Sequence, residues 1–194
     1  MSFKVDSHTL GSADGTLATS RSAHAGGLVV SGDPTDGELL LVSGPPARRS
    51  DDARLGQLLR EFSSTKVVAG GTTAAVVARE LGQSVVVNLA FDGSGLPPSS
   101  FIRGVDRVSE GVLTLSAVRD MLQGYQDRLC GQGVGYDIAT LLLRAHTIHI
   151  VLGMAVNRAH AQLVGQVEPR EKLVTEIANL LERKFNKNVF ITKW

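Results

Sequence analysis

The stretch from Lys66 to Gly82 constrains the fold more than any other part of the chain. It reads K-V-V-A-G-G-T-T-A-A-V-V-A-R-E-L-G. Val67 and Val68 form a short β-branched run, and Gly70-Gly71 a tight turn. Thr72 and Thr73 then lead into a helical stretch, Ala74 to Leu81, stopped by Gly82. This is the grammar of strand, glycine turn, capped helix and C-terminal glycine. A helix that starts behind glycines presents free backbone N–H groups and the positive end of its dipole, which suits phosphate or carboxylate. The pattern is neither a P-loop nor a G-x-G-x-x-G fingerprint. It fits an anion loop, and it equally fits a plain turn in which Thr72 or Thr73 only caps the helix.

The flanking segments repeat the alternation. Asp33-Pro34-Thr35-Asp36-Gly37 is a turn. Glu38 to Ser43, E-L-L-L-V-S, is a continuous apolar run of strand length, as expected of a central parallel strand. Gly44-Pro45-Pro46 ends it, and Ser50-Asp51-Asp52 introduces a helix with leucines at 55, 58 and 59. Ser84 to Leu89 reads as a third strand, and 101–108 as a short or edge strand. A helix follows from Thr114 or Ser116 to about Tyr125, then one from Tyr136 to His146. Thr147 to Leu152 is a strand, the segment after Pro169 is a helix to about Phe185, and Asn186 to Thr192 is a final strand. Alternation of this kind predicts an α/β, Rossmann-like three-layer domain with a mostly parallel sheet over residues 38–194. Residues 1–37, rich in Ser, Gly, Thr and Asp, read as an N-terminal arm or β-hairpin.

Composition narrows the function classes. The chain has 194 residues, 43% hydrophobic, with a formal net charge of +1, so nothing in its charge calls for nucleic acid or an anionic membrane. Cys130 is alone, which excludes an intramolecular disulfide and a zinc-type cysteine cluster. No apolar run is long enough to span a bilayer, and Met1 to His8 lacks a signal-peptide core. A cytoplasmic protein is the expectation.

In open α/β sheets ligands bind beyond the carboxyl ends of the strands. The residues that should gather there are Gly44, then Gly70, Gly71, Thr72 and Thr73, then Asn157 and His160 in the loop after the strand at 147–152. If the strand near 101–108 runs parallel, Asp106 and Glu110 arrive at the same rim. The set predicts a pocket for a small anionic or phosphorylated ligand. Asp106 and Glu110 would hold a sugar hydroxyl or a metal ion, Mg²⁺ or Mn²⁺. His160 would close the far side or act as a general acid or base. His149, alternating within a strand, reads as a packed or edge histidine.

Four ordered blocks also resemble the portion that follows the phosphatase domain in bacterial stage II sporulation protein E-family serine/threonine phosphatases. Leu41 to Pro46, L-V-S-G-P-P, matches their strand and Gly-Pro-Pro turn. Val68 to Gly82 matches V-C-G-G-T-T-A-N-I-V-A-R-E-L-G, with Ala69 for Cys and Ala75-Val76 for Asn-Ile. Gly104 to Leu115, G-V-D-R-V-S-E-G-V-L-T-L, matches G-I-D-L-V-T-E-G-V-L-T-L. His149 to His160 matches H-F-F-V-G-R-A-V-N-P-A-H, with Met154 and Arg158 as the two clearest departures. The acidic metal motifs of the phosphatase domain are not evident in the chain. The resemblance therefore implies a regulatory or accessory domain, with a phosphatase domain as partner. Two other readings stand beside it: a metal-dependent phosphoester hydrolase using Asp106, Glu110 and His160, and a homodimeric interaction module built on the N-terminal arm, consistent with a homo-oligomer.

Overall fold

The computed structural model describes residues 37–90, 93–155 and 169–194. The expected arm at 1–37 therefore lies, apart from Gly37, outside the described residues. The rest is an α/β domain with a seven-stranded sheet between two helical layers.

β1 (Glu38–Ser43) is the centre. Leu39, Leu40, Leu41 and Val42 are each at most 1% exposed. Because side chains alternate along a strand, Leu39 and Leu41 enter one core while Leu40 and Val42 enter the other. β1 pairs in parallel with β2 (Thr65–Ala69) on one edge, Val42 opposite Val68. On its other edge it pairs with β6 (Thr147–Leu152), Val42 opposite Val151. β2 takes β5 (Arg107–Ser109) as its outer neighbour, and β6 takes β7 (Asn188–Lys193), both in parallel. Two short strands, β3 (Val86–Val87) and β4 (Ser100–Phe101), extend the β5 edge antiparallel. The spatial order is β3-β4-β5-β2-β1-β6-β7. Its five parallel strands thus wind outward from β1 in both directions.

The helices sort by face. α1 (Asp52–Glu61) and α2 (Gly71–Leu81) cover the face of Leu40 and Val42. α3 (Val112–Gly124), α4 (Gly133–Arg144) and α5 (Arg170–Phe185) cover the face of Leu39 and Leu41. Right-handed crossovers require this: strands added in opposite directions send their helices to opposite faces. The sheet therefore has a switch point between β1 and β6, where such folds open a crevice.

Local chemistry sets the ends of α2. Gly70 precedes it at φ 134° and no side chain caps it. Gly82 ends it in the left-handed conformation, with Gln83 N–H donating to Ala78 O and Gly82 N–H to Arg79 O. Arg79 bonds Glu80 and the buried Asp52 at the start of α1, and these two partners raise its pKa in that order of importance. Gly56 lets α1 approach the Glu80 side chain. Part of the A-R-E-L-G block thus has a packing role.

The strand expected at Ser84 to Leu89 is a correction. Only Val86 and Val87 pair, at the sheet edge, and Val86 and Leu89 are 56% and 84% exposed. β5 holds the place beside β2 instead. An apolar run of this length carries no information about which strand it will neighbour. His149 of β6 lies between the rings of Phe62 and Phe190, as a packed histidine near an edge.

Leu142 of α4 is fully buried in the larger core, whereas Leu113 of α3 is 53% exposed. Leu142→Ala is expected to cost about 2–5 kcal/mol by urea unfolding, and Leu113→Ala to stay within about 0.5 kcal/mol of the parent. Equal losses would contradict this core assignment.

Candidate functional site

A cavity of about 390 Å³ opens at the carboxyl ends of the parallel strands, lined by the segments that follow β1, β2, β5 and β6 and by the start of α5. Its floor is made of interlocked glycine turns. After β1, Gly44 turns at φ 89°, and a Cβ there would meet the Arg170 guanidinium and the Gly153 carbonyl. After β6, a Cβ on Gly153 would meet the carbonyl oxygens of Gly44 and Pro45. Gly153 N–H donates to Ser43 O at 2.9 Å, and Ala155 N–H to Pro45 O at 3.2 Å. The turns after β2 and β5 are zipped in the same way. Gly70 N–H donates to Ser109 O at 3.0 Å, and Gly71 N–H to Glu110 O at 2.9 Å. Gly111 turns at φ 135°, and its Cβ would lie 3.0 Å from Gly70 Cα.

Thr73 joins the two halves of this floor. Its Oγ1 accepts the Gly44 N–H at 3.0 Å, and the residue is 1% exposed. A buried bond of this sort is worth roughly 0.5–1.5 kcal/mol when made, and its loss would orphan a buried amide. Thr72, by contrast, is exposed on the cavity wall. Gly70, not a threonine, is the N-cap of α2, so the hydroxyls are not spent on capping. Among the described residues no acceptor meets the backbone N–H groups of Thr72 and Thr73. α3 likewise starts behind Gly111 with no side-chain cap, and Gly111 and Val112 line the cavity. Two helix N-termini therefore reach one space, and both favour negative charge there.

The charged groups stand on opposite sides. Glu110, the residue after β5, lines the cavity, and its Oε2 is buried without a partner among the described residues. Ser109 Oγ and Thr114 Oγ1 at the same β5–α3 junction are also buried and unpartnered. Arg170, at the first turn of α5, lines the other side and donates from Nη1 to Gly153 O at 2.9 Å. Burial lowers its pKa from the ordinary arginine value. Sequence reasoning missed Arg170. The available signal was a cation in the first turn of a helix, where the dipole disfavours it.

Of the other expected site residues, Gly44, Gly70, Gly71, Thr72 and Thr73 gather at the cavity. Asp106 does not join Glu110. It sits at the amino end of β5, where its Oδ2 accepts the Lys66 N–H at 2.8 Å and its own N–H donates to Lys66 O. Although β5 runs parallel to β2, the three residues of β5 lie between Asp106 and Glu110, which puts their backbone positions about 13 Å apart. Among the described residues no three His, Cys, Asp or Glu side chains are grouped to hold a metal ion. Asn157 and His160 lie outside the described residues. Cys130 is exposed and does not line the cavity. No described helix is long and apolar enough to cross a membrane.

The last residue braces the loops behind the cavity. Trp194 N–H donates to Leu152 O at 3.0 Å, and its carbonyl accepts from Ala47 N–H at 3.1 Å and Met154 N–H at 2.8 Å. Arg54 lies 4.6 Å from its ring centroid, a cation–π contact.

Comparison of the chain with protein-family models, with curated proteins and with solved structures gives no match.

The glycine floor yields opposite expectations at neighbouring positions. Gly70→Ala would place a Cβ at φ 134° and 2.8 Å from Thr73 Oγ1, and should cost about 1–3 kcal/mol. Gly71→Ala has open space at a helical position and should be neutral or stabilising by up to about 1 kcal/mol. Chemical denaturation of the two variants checks this, and a destabilised Gly71→Ala would contradict it.

Proposed function

We propose that this chain is a ligand-binding domain that takes up a small anionic or phosphorylated molecule at the carboxyl ends of its strands. We propose further that it serves as a regulatory or accessory part of a stage II sporulation protein E-type phosphatase system. The observation that carries the ligand reading is the cavity shared by the N-termini of α2 and α3. There the Thr72 and Thr73 amides have no acceptor among the described residues, and Arg170 adds a half-buried cation. Oriented amides and an arginine are what a phosphate or carboxylate needs. The phosphatase context rests on the four sequence blocks that resemble that family, each of which contributes to the cavity: Ser43 to Pro45, Gly70 to Thr73, Glu110 to Val112, and Ala155.

Binding fits this geometry better than phosphoester hydrolysis. The hydrolase reading takes Asp106 or Glu110 as metal ligand or base. Asp106 stands at the far end of β5 from the cavity, and no three His, Cys, Asp or Glu side chains among the described residues are grouped around Glu110 to hold a metal ion.

A thermal-shift screen of the full chain against inorganic phosphate, sugar phosphates and nucleotides tests the proposal. A ligand at 100 times its Kd should add about 2.7 kcal/mol. Thr72→Glu places a like charge on the cavity wall. A carboxylate in the first turn of a helix is itself well tolerated. The variant should keep its apo melting temperature and lose the shift. A screen with no responding anion, or a shift that survives Thr72→Glu, would sink the reading.

A further inference from the structure

The cavity has two chemically different ends. β5 and β1 are two strand spacings apart, about 10 Å, so Glu110 and the Arg170–Gly44 contact face each other across the length of a small ligand. At the Arg170 end, the guanidinium is held over Gly44 by a single described bond, to the Gly153 carbonyl. No described carboxylate pairs with it, and a guanidinium has five N–H donors to satisfy. At the Glu110 end the demand is reversed. Glu110 Oε2 is a buried acceptor with no donor among the described residues. Ser109 and Thr114, 2% and 0% exposed, add two more unpartnered hydroxyls at the same junction. Three of the four such buried atoms among the described residues fall within Ser109 to Thr114. Buried polar atoms are nearly always bonded, and of these three residues Glu110 lines the cavity, so its orphaned oxygen marks where a polar group from outside the chain arrives.

We propose that the ligand is a polyol phosphate: its phosphate is held by Arg170 and the first-turn amides of α2, and its hydroxyls donate to Glu110. This rests on the anion reading of the same cavity and specifies its ligand class. A bare anion brings no donor to Glu110, and a neutral sugar brings no counter-charge to Arg170. A carboxylate accepting from hydroxyl donors makes bonds of the stronger, charge-assisted kind. The pairing also sets the direction of the ligand, phosphate towards β1 and hydroxyls towards β5.

Isothermal titration of the full chain with inorganic phosphate, ribose and ribose 5-phosphate tests the assignment, with Glu110→Gln and Arg170→Gln as variants. Glutamine at 110 keeps the volume and removes the charge, and glutamine at 170 removes the cation while keeping a polar side chain. Ribose 5-phosphate should bind the parent at least ten-fold more tightly than inorganic phosphate. Glu110→Gln should erase that advantage while phosphate binds as tightly as before or more so, because a like charge has gone. Arg170→Gln should weaken both phosphate-bearing compounds at least ten-fold. A collapsed fold cannot produce these opposite responses at Glu110, and circular dichroism of the free variants checks the fold directly. Equal binding of phosphate and ribose 5-phosphate by the parent, or an advantage that survives Glu110→Gln, overturns the polyol assignment and leaves the anion site standing. Failure of every phosphate-bearing compound to bind overturns both.

Discussion

A strand buried on both faces and both edges governs this molecule. β1 carries Leu39, Leu40, Leu41 and Val42 with almost no exposure, so it must have a helical layer above and another below. It must also have a hydrogen-bonding neighbour on each side, because unpaired backbone groups in such a place are costly. β2 and β6 supply those neighbours. Once the helices after β1 and after β6 are committed to opposite faces, the turns that leave the two strands diverge. The cavity is the gap between them. The site is thus a by-product of how one strand is covered, and its floor had to be glycine because the turns that diverge there also touch.

The elements that were legible in the sequence were those whose burial is written into the residues themselves. E-L-L-L-V-S and T-I-H-I-V-L name central strands because few other places accept continuous apolar runs. α5 is legible from its apolar period, and α2 from glycine at both ends. S-V-V-V-N-L looks as apolar as a central strand, yet it lies largely exposed beside β4. Its placement depends on whether β5 occupies the slot next to β2, and that is decided by partners far along the chain. The site shows the same division. Gly44, the Gly70 to Thr73 turn and Glu110 could be gathered because each follows a strand, and position after a strand is local information. Asp106 could not be told from Glu110 in this way, since three residues of strand were enough to send it to the opposite rim. Arg170 was invisible because its relation to Gly44 is purely tertiary.

The two threonines show how one motif divides its labour. Thr73 turns inward and holds the first turn of α2 against the Gly44 turn, while Thr72 faces the cavity. Replacing both together would mix a structural loss with a binding loss. The charge pattern is similarly divided. Arginine and two helix N-termini favour an anion, and a glutamate at the far end opposes a second one. Such an arrangement favours a molecule with its charge at one end over one charged throughout.

The pairing of Ser43 with Leu152 has a consequence for how the molecule is made. The two walls of the cavity come from segments separated by most of the domain, and their union closes a very long loop of chain. A nascent or partly folded protein that has completed only β1 to α2 holds the Gly70 to Thr73 turn but lacks Gly153 and Arg170. The cavity is therefore complete only once the β6 half has docked against β1, because its two walls belong to opposite ends of that long loop.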